Sequence, residues 1–152
     1  ILGPDIIDNS GTKSNPFLET NPSLFSNLYW KLYYSSYPLS ICLSITKKWI
    51  GKLLIKSKKN GQDDKRQVYA IHGSAVFLSN YFFEKGGWLD DNFELFGEEI
   101  TLAEIAKKIK VPITYVPELK IVHNEHSTTK TLDKKTLFMK GKESFDYIKS
   151  NF

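Results

Sequence analysis

The sequence predicts an α/β chain, and three observations carry that prediction. Residues 98–110 place Leu102, Ile105, Ala106 and Ile109 on one face at helical spacing, the clearest helix in the chain. Residues 67–78 and 113–122 are rich in Val, Ile, Tyr and Phe, as strands are. The 152 residues are 41% hydrophobic and 25% charged, the balance of one folded domain rather than a disordered chain.

In chain order, residues 1–22 are broken by Gly3-Pro4, Asp8-Asn9-Ser10-Gly11, Asn15-Pro16 and Asn21-Pro22, which leaves room for a short strand near Ile6-Ile7 and a loop. The opening run Ile1-Leu2-Gly3-Pro4-Asp5-Ile6-Ile7, without Met, reads as the end of a buried strand entering a turn. The expectation is therefore a segment of a longer chain, with an apolar strand edge at Ile1, Leu2, Ile6 and Ile7 that would promote self-association. Residues 23–59 predict a basic, amphipathic helical region. Leu24, Phe25, Leu28, Leu32 and Tyr33 recur at helical spacing after Pro22-Ser23; beyond Pro38, Ile41, Ile45, Trp49, Ile50, Leu53 and Leu54 alternate with Lys47, Lys48, Lys52 and Lys56. Two roles fit this second helix: packing on the domain, or lying on an anionic membrane surface. Lys58–Arg66 reads as an exposed polar loop.

The strand-like run 67–78 is interrupted at His72-Gly73-Ser74, and glycine within such a run marks a bulge or a close approach. Ser79 can cap a short helix over 80–85 that stops at Gly86-Gly87. Lys107, Lys108 and Lys110 stand at the end of the 98–110 helix where its dipole favours cations. Two short strands, 113–116 and 119–122, flank Pro117, and residues 132–152 predict a docking helix broken near Gly141.

Ten Phe, eight Tyr and three Trp make the chain 14% aromatic, enough ring surface for a core and for stacking on sugar faces. The lone Cys42 excludes an intrachain disulfide, which fits a reducing compartment or indifference to redox state. No run of about 20 apolar residues exists to cross a membrane as a helix. The net charge of +4 comes almost wholly from Lys, with Arg66 the sole arginine. That scarcity argues against nucleic-acid recognition, for which the arginine fork is the preferred contact.

Chemistry concentrates in residues 86–102. Asp90, Asp91, Glu94, Glu98 and Glu99 fall within ten residues, interleaved with Trp88, Leu89, Phe93, Leu95 and Phe96. Carboxylates held among apolar groups have raised pKa values and make general bases. Glu98-Glu99 also opens a helix, so an ordinary alternative is that both merely supply first-turn charge.

Three segments in this order resemble the second half of family-two glycosyltransferases, which have the GT-A fold. Val68–Leu78 with its His72-Gly73-Ser74 step is similar to that family's strand beneath the acceptor; Gly86-Gly87-Trp88-Leu89-Asp90 leading to Glu98-Glu99 is similar to its run into a Glu-Asp pair at a helix start; Tyr115-Val116-Pro117 through His123 is similar to its closing strand pair. Leu2-Gly3-Pro4-Asp5-Ile6 with Gly11 and Asn15-Pro16 resembles the segment after the family's metal-binding motif. The likeness covers residues 1–16 and about 68–128.

The resemblance implies the C-terminal portion of a GT-A fold, a mixed sheet flanked by helices. It implies transfer of a sugar from a nucleotide-diphospho-sugar donor to a hydroxyl of a glycan or lipid-linked acceptor, with inversion, as in surface polysaccharide synthesis. By position Glu99 matches the base that deprotonates the acceptor, although the family more often has Asp there, which keeps Glu98 open as the base. His72, Gly73, Ser74, Trp88 and Asp90 fall on substrate-binding positions, and His123 on a metal or diphosphate contact that His126 could supply instead. A divalent cation, Mn²⁺ or Mg²⁺, is expected in the complete enzyme, which would work in the cytoplasm, at the inner face of the membrane if the basic helix binds there. The sequence holds no Asp-x-Asp and no glycine-rich phosphate loop, so this stretch alone is expected to bind neither metal nor donor and to be inactive. The contrasting expectation is a non-catalytic basic module for a membrane surface or an assembly.

Overall fold

A computed structural model describes residues 1–53, 64–123 and 131–152, with backbone alone at 48–53. It divides into two compact units, one made of Ile1–Asn21 with Asp64–Phe152 and the other of Pro22–Asp63.

The first unit is α/β. Its three-stranded mixed sheet has the order β1-β3-β2, with β1 at Leu2–Ile7, β2 at Arg66–Gln67 and β3 at Thr114–Val122. β1 runs parallel to β3, and β2 runs antiparallel to it. The register steps from Pro4 opposite Val116 to Asp5 opposite Lys120, so three residues of β3 beginning at Pro117 have no partner. Proline has no N–H to give the ladder, and here Pro4 and Pro117 meet at the irregularity. The two short strands expected around Pro117 are thus one strand with a slip.

The outer edge of β1 is occupied. Leu2 exchanges both backbone hydrogen bonds with Phe77 at 2.9 Å, the Pro4 carbonyl accepts from Asn15 Nδ2 at 2.8 Å, and the Ile6 carbonyl accepts from the Ser14 N–H at 2.9 Å. The open apolar edge expected there is therefore filled from within the chain, with Ile1 and Ile6 buried.

The run 67–78 is not the strand its composition suggests. After β2 it makes only isolated bridges, Ala70 to Leu18 and Phe77 to Leu2, around a turn at 73–75. Its apolar residues serve the core without a continuous ladder: Val68, Ala70 and Ile71 pack with Phe82, Leu102, Ile105, Val111, Ile113 and Tyr115. Gly3 is required at this contact, since a Cβ there would lie 2.4 Å from Ile71 Cγ2.

Between β2 and β3 lie two helices, α3 at Asn80–Glu84 and α4 at Glu98–Lys108. Ser79 is the N-cap residue of α3 but its side chain makes no capping bond, and Gly86 beyond the helix has φ 83°. α4 buries Leu102, Ala103, Ile105 and Ala106, the face its periodicity predicts, with Lys107 and Lys108 in its last turn. After β3 comes a long helix, α7, at Lys134–Asn151. Asp133 caps it by accepting from the N–H groups of Lys135 and Thr136. The break expected at Gly141 does not occur: the helix is continuous and Gly141 is buried within it.

The second unit is a helical hairpin. α5, Leu24–Tyr33, is capped by Ser23 accepting from the Ser26 N–H, and α6 spans Tyr37–Leu53 with Pro38 in its first turn, where its lack of an N–H costs nothing. Tyr29, Trp30, Tyr33 and Tyr34 form a knot of rings 5.0–6.1 Å apart, and Lys47 Nζ from α6 sits over Tyr29 and Trp30 at 5.4 and 5.8 Å. Burial, and then the neighbouring Tyr33, pushes the Tyr34 hydroxyl up to about 12. The remainder of the expected helix to residue 59, and the loop as far as residue 63, lie outside the described residues.

Candidate functional site

The turn at 73–75 and the start of α4 face each other across a cavity of about 470 Å³. Its walls are apolar at Ile71, Val76, Leu78, Leu89 and Leu102, and polar at Ser74, Asp90, Glu98, Glu99 and Thr101. A few polar groups converging in a largely apolar cleft are the usual make-up of a small-molecule site.

Glu99 is only 8% exposed, although it stands in the first turn of a helix where charged groups commonly reach water. Burial pushes its carboxyl above the ordinary 4.5, and the neighbouring Glu98 adds to the rise; the Gly73 N–H and the nearby His72 work the other way without cancelling it. The Gly73 N–H donates to Glu99 Oε1 at 3.1 Å, which fixes that oxygen against the turn. Glu98 is exposed and lies over Gly73, where a Cβ would fall 2.5 Å from Glu98 Cγ. One glycine therefore seats both carboxylates. Gly97 gives α4 its left-handed N-cap at φ 110°, a conformation that favours glycine.

The turn is anchored from below. The buried Asn15 accepts from the His72 N–H at 2.6 Å through Oδ1 and donates from Nδ2 to the Pro4 carbonyl at 2.8 Å, joining β1 to the turn. His72 Nδ1 accepts from the Ser74 N–H at 3.2 Å, and its ring lies 6.3 Å from those of both Phe17 and His123. His123 itself donates its backbone N–H to the Ile7 carbonyl at the end of β1.

The acidic segment before α4 is braced by α7. Tyr147 donates its hydroxyl to Asp90 Oδ2 at 2.8 Å, Lys140 pairs with Glu94 at 2.6 Å, and Ser144 Oγ donates to the Leu95 carbonyl at 2.8 Å. Partial burial works against ionisation of Asp90, but hydrogen bonds from Asn92 and Tyr147 outweigh it and hold the carboxyl below its ordinary range. Asp90 is thus a fixed anion, while Glu99 is the carboxyl with raised proton affinity. Environments that push the proton affinities of two neighbouring carboxyls apart can divide acid–base roles between them.

Of the residues that sequence pointed to, Glu98, Glu99, Gly73, Ser74 and Asp90 line the cavity. Trp88 is exposed and is not part of its lining, a place taken instead by Leu89. His72 supports the turn through its backbone and Nδ1 rather than lining the cavity. The ring neighbour of His123 among the described residues is His72, and His126 lies outside the described residues. Among the described residues no three His, Cys, Asp or Glu side chains converge. Asn15, Thr101, Ser144 and Tyr147 were not legible as site residues; the Asn15-Pro16 pair signals a turn, and nothing local reports that its amide reaches the His72 backbone.

No family model, curated protein or solved structure matches this chain.

Proposed function

We propose that the chain is the acceptor-side half of an inverting GT-A glycosyltransferase of family two, with Glu99 as its general base. The observation that carries the proposal is a buried carboxylate of raised pKa, fixed by the Gly73 N–H, on the wall of a cavity. Three further features support it: Glu98-Glu99 start a helix after an apolar-acidic run, the His72-Gly73-Ser74 step faces them, and the strand leading to His123 completes the resemblance.

In this mechanism the apolar wall takes one face of the acceptor sugar or lipid-linked glycan, and Asp90 and Ser74 accept or donate hydrogen bonds to its hydroxyls. Glu99 takes the proton of the reacting hydroxyl. The oxygen forms its bond to the anomeric carbon of the donor as the bond to the nucleotide diphosphate breaks, and the electron pair leaves with the diphosphate. Glu99 suits the task better than Glu98 because its proton affinity is raised, whereas Glu98 is exposed. The donor site and its cation belong to sequence outside this stretch under the proposal.

The test is Glu99→Gln in the complete protein. Turnover should fall by about 10²–10⁴-fold, the usual loss with a general base, with donor binding retained. If Glu98→Gln abolishes turnover while Glu99→Gln stays near wild type, the roles are reversed. If neither variant affects turnover, the catalytic assignment of this cavity fails.

A further inference from the structure

The helical hairpin carries a surface that the cavity chemistry leaves unused. On α5, Leu24 and Phe25 are each 86% exposed, and Leu28 and Leu32 are exposed with them. At 100° per residue these four fall within about a 100° arc, with Lys31 at its border. α5 buries none of its residues, so among the described residues nothing covers this apolar face. On α6, Ile41 and Ile45 are also exposed, one turn apart.

Charge identifies what fits there. From Thr20 to Gln62 the chain has seven lysines and neither Asp nor Glu, whereas all 17 carboxylates lie elsewhere. We propose that the hairpin docks on an anionic lipid surface, with Leu24, Phe25, Leu28 and Leu32 entering the interface, Lys31 meeting the headgroups, and the lysine excess of the segment drawing it to the negative surface. Lys31 at the border can extend its stem along the apolar face and hold its ammonium among the headgroups. A second copy of the chain is the poorer occupant, because two such faces would bring lysines against lysines with no carboxylate between them. Nucleic acid is poorer still, since the segment has no arginine. The ring knot of α5 with Lys47 of α6 ties the two helices together, so both can present one surface. The proposal stands independently of the glycosyltransferase assignment.

Flotation of the chain with two kinds of vesicle tests it, one of phosphatidylcholine alone and one with phosphatidylglycerol added. The chain should float with the anionic vesicles, and the bound fraction should fall as salt rises, because screening contracts to about 8 Å at physiological ionic strength. Lys31→Ala should weaken the partition about fivefold, the worth of one basic residue near an anionic surface. Leu24→Ser/Phe25→Ser should abolish flotation while leaving the thermal melt unchanged, since both side chains are already in water. Equal flotation with neutral and anionic vesicles, or none with either, overturns the proposal. So does self-association in light scattering, or retention of single-stranded RNA, that the same double substitution relieves while vesicle binding is absent.

Discussion

The two units of this chain are built on opposite plans. The α/β unit buries a continuous core from Ile1 to Tyr115 and carries every carboxylate but Asp63. The hairpin has a helix with no buried residue, exposed Leu and Phe side chains, and lysine as its sole charged side chain from Thr20 to Gln62. In the first, apolar residues satisfy one another and leave a defined cavity; in the second, they face outward beside cations. Amphipathic periodicity alone does not separate these cases, because α4 and α5 both show it. What separates them is whether a second apolar face lies opposite. α4 meets Val68, Ile71 and Ile113, and α5 leaves Leu24 and Phe25 in water.

The largest stability effect should come from breaking the core side of the contrast. Gly3→Ala would bring a Cβ to 2.4 Å from Ile71 Cγ2, and Ile71 is 1% exposed and cannot swing aside. Overpacking of that kind costs about 1–3 kcal/mol. Urea denaturation should show the lowered midpoint with an unchanged slope; a wild-type midpoint would mean that the β1 contact is looser than its geometry indicates.

Much of this contrast is legible in the sequence, and the failures have physical causes. The 98–110 helix is legible because four apolar residues at a period of 3.6 meet an acidic start and a lysine end, so pattern and dipole agree. Residues 67–78 misled because β propensity measures fitness for a half-buried surface, which isolated bridges and a core turn also provide. Gly141 suggested a break because propensity penalises glycine, yet the helix runs through it and buries it. Glu98 and Glu99 were visible as a pair, but one is buried and the other exposed. That split depends on Gly73, 25 and 26 positions away, and on a turn that no local pattern specifies.

The next effect sharpens the account of Glu99. Its folded carboxyl has a raised pKa, caused first by burial and then by Glu98, so the folded state holds this proton more tightly than the unfolded chain does. Wild-type stability from this group is therefore greatest below the ordinary 4.5 and falls as pH rises through the raised value. Glu99→Gln carries no charge and keeps an oxygen for the Gly73 N–H. Its melting temperature relative to wild type should increase across that window and then level off, with a gain at neutral pH of the ~0.5–2 kcal/mol common for single stabilising changes. Under the proposed role of Glu99 the variant would be steadier but impaired in turnover, the trade expected where function holds an unfavourable charge in place. A difference that is flat with pH, or that shrinks, would show that Glu99 is ionised without penalty.

A smaller loss should follow from loosening the brace of the acidic segment. Ser144 is buried and gives its hydroxyl to the Leu95 carbonyl at 2.8 Å and to Lys140 O at 3.1 Å, and a Cβ added at Gly97 would lie 3.4 Å from Ser144 Cβ. Ser144→Ala leaves the Leu95 carbonyl without that donor and should cost about 0.5–1.5 kcal/mol. Hydrogen exchange at residues 93–97 should speed up more than at the core of α4; uniform protection in the variant would mean that the segment does not depend on α7.

The smallest effect is expected in the hairpin, and it tests the contrast from its other side. Leu24 and Phe25 occupy the first turn of α5 and are 86% exposed, so truncating them opens no cavity and removes little buried area. Serine is also at ease near a helix start, where its hydroxyl can serve backbone N–H groups. Leu24→Ser/Phe25→Ser should therefore change unfolding by no more than ~0.5 kcal/mol per site, the range of ordinary surface substitutions. Measured beside Gly3→Ala under the same denaturant, the pair reports directly on how the two units use apolar residues. If the serine variant unfolds as readily as the glycine variant, Leu24 and Phe25 are packed against protein in solution, and the division into a core-forming unit and an outward-facing hairpin is wrong.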